Sequence, residues 1–197
     1  MRLFDGVRWL WARPFLRALL VSEALGTLVY GSLSLVILVL VRDRGATPAE
    51  LGVMFALMSA GGAAGALATP KLVRSLPSYA LVVGSAWMSP ALVLLLLLAA
   101  RSPYLVGILG ALAVFPVPAV TSLLFASISA NAPDRLQGRT VSGAIQLTNL
   151  ATPVAPVLGG VLVGIAGTST TVLADAAFLT CIAVGLSFSR GLRLGDD

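Results

Sequence analysis

A chain of 197 residues that is 58% apolar and only 11% charged, with a mean hydropathy of +0.99, lies outside the composition of soluble globular domains. Its formal charge of +5 comes without the interleaved basic and aromatic patches that nucleic acid requires, so it concerns helix ends and lipid headgroups instead. With no histidine and a single cysteine, Cys181, an internal disulfide, a zinc site and Cys/His catalysis all lack their residues.

Residues 1–14 come before the first long apolar run. Leu3, Phe4, Val7, Leu10 and Trp11 recur at helical spacing, with Arg2, Asp5 and Arg8 elsewhere on the wheel. That pattern suits an amphipathic helix lying in the cytoplasmic interface, or else a frayed basic tail. Pro14 permits a turn into residues 15–189, where six apolar runs follow at roughly 18–41, 51–69, 79–99, 104–130, 141–166 and 171–188. A bilayer core needs about 20 apolar helical residues, and each run reaches or approaches that length. The expected fold is an all-α integral membrane bundle of six transmembrane helices, ending in a cytoplasmic tail at 190–197.

The segments around and between the runs carry four, two, two, one, two, no and two Lys or Arg in chain order. Ten of the thirteen fall in alternate segments, beginning with the first. Positive charge near helix ends stays cytoplasmic, so both termini are expected inside, with six membrane crossings between them. Because the connections are short, sequential helices are expected to be antiparallel neighbours.

The first run contains Glu23 and Tyr30. A carboxylate at depth costs several kcal/mol unless it faces a partner, water or the bundle interior. Glu23 is therefore either a protonatable group or cation contact on a transport path, or a headgroup-level partner of Arg17 or of a neighbouring loop. Tyr30 is a candidate contact for an apolar ligand, with packing as the alternative. Thr47, Pro48 and Glu50 predict a capped helix start. The second run holds Gly61 and Gly65 in a GxxxG relation, which predicts close helix packing. Pro70 and Pro77 bound a predicted cytoplasmic loop.

Phe115-Pro-Val-Pro118 predicts a kink in the fourth run. The following stretch, 131–139, is the most polar of the chain and holds Asp134, Arg135 and Arg139. In the fifth run Gln146 and Asn149 share a face, suiting a polar lining or interhelical hydrogen bonds, and Pro153 and Pro156 predict a bend. Gly160 and Gly164 repeat the GxxxG spacing. Asp175 in the sixth run is either a pathway carboxylate or a solvated cap near the external rim. The second and fifth runs, each glycine-rich and each following a Pro…Leu…Gly segment, correspond under a 3+3 division, as an inverted repeat would have it. A phosphate-binding loop and paired carboxylates for catalytic magnesium are missing from the sequence, so an enzyme is not expected; nor is a cofactor or bound metal.

These segments together resemble the C-terminal six-helix half of a bacterial drug or siderophore exporter of the major facilitator superfamily. Gly6–Ala18 looks like the end of that family's central linker entering its seventh helix. Leu51–Gly65 is similar to the eighth helix and Lys71–Arg74 to the loop after it. Ala132–Ser142 resembles the segment between the tenth and eleventh helices, and Pro156–Gly160 the proline-glycine pattern of the eleventh. The loop Thr69–Pro77 lacks the Asp-Arg-x-Gly-Arg signature of the family's N-terminal half.

The resemblance implies half of a major facilitator fold, working by alternating access against a second six-helix bundle, either a separate half or a second copy. It implies efflux of small amphipathic substrates in exchange for protons, with Asp134, Arg135 and Arg139 at a cytoplasmic gate. The alternatives are a small six-helix substrate-binding subunit of a larger transport complex, and a structural membrane protein or fragment that does not transport.

Overall fold

The computed structural model describes residues 5–189, and these are helical without strands. A short α1 (Asp5–Trp11) precedes α2 (Pro14–Asp43), α3 (Pro48–Ser75), α4 (Ser78–Ala99), α5 (Pro103–Val114) and α6 (Val117–Asn131). A 3-10 turn at Asp134–Leu136 leads into α7 (Gln137–Asn149), followed by α8 (Ala155–Ala166) and α9 (Thr168–Ser187). The expected tail, 190–197, lies outside the described residues.

Several starts follow the local chemistry. Pro14 occupies the first turn of α2. Thr47 and Glu50 form a reciprocal capping box at α3, with the Thr47 amide donating to Glu50 at 2.8 Å. Ser102 caps α5 through the Leu105 amide. Pro70, expected to open a loop, instead lies within α3, which runs on to Ser75.

Among the described residues, five helices are long and apolar enough to cross a membrane: α2, α3, α4, α5 with α6 taken together, and α9. The fifth predicted run does not form a continuous crossing. Pro153 has no amide for the Asn149 carbonyl and its ring crowds that group, so α7 stops at Asn149 and turns occupy 150–154 before α8 begins. The α5–α6 break at Phe115 and Pro116 is milder. Both residues stay in right-handed helical conformation, so the path bends there without forming a loop.

Two apolar clusters form the core, one toward each end of the bundle. One gathers Leu16 and Leu20 of α2, Leu81 and Val82 of α4, Ile128 of α6, Ala144 of α7 and Leu186 of α9. The other gathers Val36 and Leu40 of α2, Met54 of α3, Val93 and Leu96 of α4, Val106 of α5 and Val172 of α9. The chain thus reverses alternately at the two ends. The first end carries Arg8, Arg13, Arg17, Lys71, Arg74 and Arg139; the second carries Arg42, Arg44 and Arg101.

Except for α4 with α5, sequential helices are not the main neighbours. α2 barely touches α3, and α3 barely touches α4. Instead α3 lies against α5 and α6, α2 against α7, α8 and α9, and α4 against α5 and α9. Glycine explains two of these choices. A Cβ added at Gly61 or Gly65 would run into the backbone of Ala111 or Phe115, and one at Gly107 would lie 3.0 Å from the Met54 carbonyl. On the other pair, a Cβ at Gly31 would meet that of Ala155 at 2.6 Å, and one at Gly159 would meet Ser32 Oγ at 2.7 Å.

The expected Gly160–Gly164 contact is not there. An added Cβ at Gly160 meets only Leu35, at 3.8 Å, and one at Gly164 meets nothing within 4 Å. Both glycines are exposed, because helix rotation carries Gly159 into the contact.

Candidate functional site

A cavity of about 600 Å³ opens in the middle of the bundle, walled mainly by apolar side chains of α2, α3, α4, α5, α6 and α9. Glu23 on α2 is the one charged side chain among the described residues lining it. The Thr121 hydroxyl of α6 donates to Glu23 Oε2 at 3.4 Å, and Thr27 returns its own hydroxyl to the Glu23 carbonyl at 2.9 Å. The carboxylate therefore has a polar neighbour across the cleft. The expected alternative, a pairing with Arg17, is not what the structure provides; Arg17 lines a separate groove.

Two turns further along α2, Tyr30 lines the same cleft, its hydroxyl 2.7 Å from Ser89 Oγ of α4. Ser89 in turn donates to the Ser85 carbonyl at 2.9 Å. This hydroxyl chain satisfies the phenol in an apolar wall and fixes the orientation of the ring.

Both interruptions of helix reach the cavity. Pro116, at the α5–α6 break, lines one side, and Asn149 and Thr152, at the α7–α8 break, line another. The Asn149 side chain donates to the Ile145 carbonyl at 2.9 Å, leaving its amide oxygen toward Thr152 at 3.5 Å. Of the predicted pathway residues, Glu23, Tyr30 and Asn149 meet at this cleft. Gln146 does not line it and is exposed on α7.

Asp175 also lies elsewhere. It is 7% exposed on α9 and accepts from Ser32 Oγ of α2 at 3.3 Å, so it ties two helices together and is not a solvated cap at the rim. Asp134 and Arg139 are exposed on the 3-10 turn and the first turn of α7, outside the cleft lining; the Arg135 side chain lies outside the described residues. Here α1 packs onto α7, with Gly6 so close that an added Cβ would lie 2.9 Å from the Arg139 carbonyl carbon. The amphipathic segment therefore rests on α7 and α2 and buries Leu10 completely, while Trp11 stays half-exposed and Arg13 stacks on Trp9 at 3.7 Å.

Sequence reasoning passed over Ser89, Thr121 and Ser32, the partners of Tyr30, Glu23 and Asp175. The available signal was a hydroxyl in an otherwise apolar run: Ser85 and Ser89 sit one helical turn apart ahead of the leucine tract. Comparison with protein-family models, with curated proteins and with solved structures gives no match.

Proposed function

We propose that the chain is an integral membrane protein that forms one half of a secondary active transporter, expelling small amphipathic compounds in exchange for protons. The observation that carries this reading is the central cleft: mostly apolar, holding the Glu23 carboxylate, and bordered by both helix breaks. Interrupted helices at a midplane cavity are how transporters expose backbone without exposing it to lipid. Glu23 takes the role of the protonatable group, and Tyr30, Asn149 and the apolar walls contact the substrate.

The pattern of helix neighbours supports a 3+3 repeat with α7 and α8 counted together as one broken crossing, the fifth of six in chain order. Exchanging the two halves turns the pairing of α2 with α7 and α8 into that of α5 and α6 with α3. It also turns α2 with α9 into α5 with α4, and leaves α4 with α9 unchanged. The basic end, in this reading, is the cytoplasmic end of a bacterial inner-membrane protein, with both termini there. Asp134, Arg135 and Arg139 then flank the cytoplasmic mouth as gate residues. A second six-helix bundle supplies the opposing wall for alternating access.

A second reading, a substrate-capture subunit, needs no second bundle. The two readings separate by experiment. Native mass spectrometry and crosslinking in lipid give the assembly, and dye efflux from reconstituted vesicles gives the activity. A paired bundle with proton-dependent efflux is expected. Tight ligand binding by a monomer without flux selects the capture subunit, and a monomer with neither overturns both.

A further inference from the structure

A second cavity, of about 580 Å³, lies as a groove between the first half of α2 and the second half of α9. Val21 and Leu25 form one wall and Phe178 the other; Val21 is 39% and Phe178 41% exposed, so the groove faces outward. Gly185 leaves it open, since a Cβ added there meets nothing within 4 Å. Among the described residues its one charged lining residue is Arg17, near the end of the bundle that also carries Arg8, Arg13, Lys71, Arg74 and Arg139.

An apolar groove of this size on a membrane-facing surface loses dispersion contacts unless hydrocarbon fills it. A long basic side chain at its end reaches up to the headgroup layer while its methylenes stay against apolar surface. Apolar walls ending in a cation complement an acyl chain ending in a phosphate.

We propose that the α2–α9 groove binds one phospholipid with an anionic headgroup, its acyl chain along Val21, Leu25 and Phe178 and its phosphate on Arg17. This rests on the membrane-embedded part of the reading above and is independent of transport. The site is distinct from the central cleft, from which Ser22, Ile182 and Leu186 divide it by lining both cavities. Lipid held here braces α2, the helix that carries Glu23, against α9.

The test uses the full chain in detergent, equilibrated with equal amounts of phosphatidylglycerol and phosphatidylcholine and examined by native mass spectrometry. One retained phosphatidylglycerol per chain is expected. Arg17→Ala should lower the preference for phosphatidylglycerol about fivefold, the effect of one basic residue near an anionic surface. Gly185→Phe, which fills open space, should lower retention of both lipids while leaving the thermal unfolding transition in place. Arg74→Ala, on the same end but outside the groove, should change neither.

Equal preference in the wild-type chain and Arg17→Ala would overturn the proposal. So would an equal loss in Arg74→Ala, which would mean diffuse basic attraction, or a second chain crosslinked through Cys181, which lines the groove. Release of the chain from membranes by alkaline carbonate would instead remove the embedded reading itself.

Discussion

Two helix pairs are drawn together by glycine, and they differ in what the glycine faces. Between α3 and α5, Gly61 and Gly65 confront backbone, the main chain of Ala111 and Phe115. Between α2 and α8 the approach is looser and a side-chain atom comes first: an added Cβ at Gly31 meets the Ala155 Cβ at 2.6 Å, and one at Gly159 meets Ser32 Oγ at 2.7 Å, ahead of the Ser32 carbonyl at 3.0 Å and Cα at 3.1 Å. Backbone cannot rotate out of the way, whereas a serine hydroxyl can. The first contact is therefore the more rigid one, and the second is where the bundle can give. Under the transport reading, that puts compliance on α2 and beside the α7–α8 break, both of which border the cleft.

The largest effect should come from Gly65→Leu. The side chain has no space short of displacing α5, so a loss of about 3 kcal/mol or more is expected, read as a lowered unfolding temperature in detergent and poor recovery of folded protein. Gly159→Ala should cost about 1 kcal/mol net, because the crowding at Ser32 is partly offset by alanine's better helix propensity. If Gly159→Ala proved as damaging as Gly65→Leu, the two contacts would be equally rigid.

Ser32→Ala leaves buried Asp175 without its hydroxyl donor and should destabilise by about 1–3 kcal/mol in the same assay, whereas Asp175→Asn, which keeps an acceptor, should cost less. Gly164→Ala, with open space around it, should raise stability by about 0.5–1 kcal/mol. A destabilised Gly164→Ala variant would mean that a partner bundle covers that face.

Residue type and spacing made much of this legible. The capping box at Thr47 and Glu50, the breaks at Pro116 and Pro153, and the α3 glycine face follow from local chemistry, which a sequence states directly. The GxxxG spacing on α8 failed because spacing defines a face without saying which way the face turns. Gly159, one residue before Gly160, is the glycine that meets α2. The neighbour pattern was likewise hidden. Short connections bound the distance between helix ends, while the contacts along the helices were decided by where backbones can approach.

At the site, Glu23, Tyr30 and Asn149 were visible as polar groups in apolar runs, but their convergence was not. It depends on α2 lying between α9 and the broken α7–α8 pair. Pro70 teaches the same lesson in reverse: a residue that often ends helices sits here on an exposed face of α3 and ends nothing.

The most direct test of the central claim is proton-driven flux of a cationic amphipathic dye in vesicles holding the assembled bundle, wild type beside Glu23→Gln. Efflux that collapses with the proton gradient, and falls to background in Glu23→Gln while the variant keeps the wild-type unfolding temperature, is the predicted result. Efflux unchanged by Glu23→Gln at equal reconstitution would contradict the account, because the Glu23 carboxylate would then have no part in coupling.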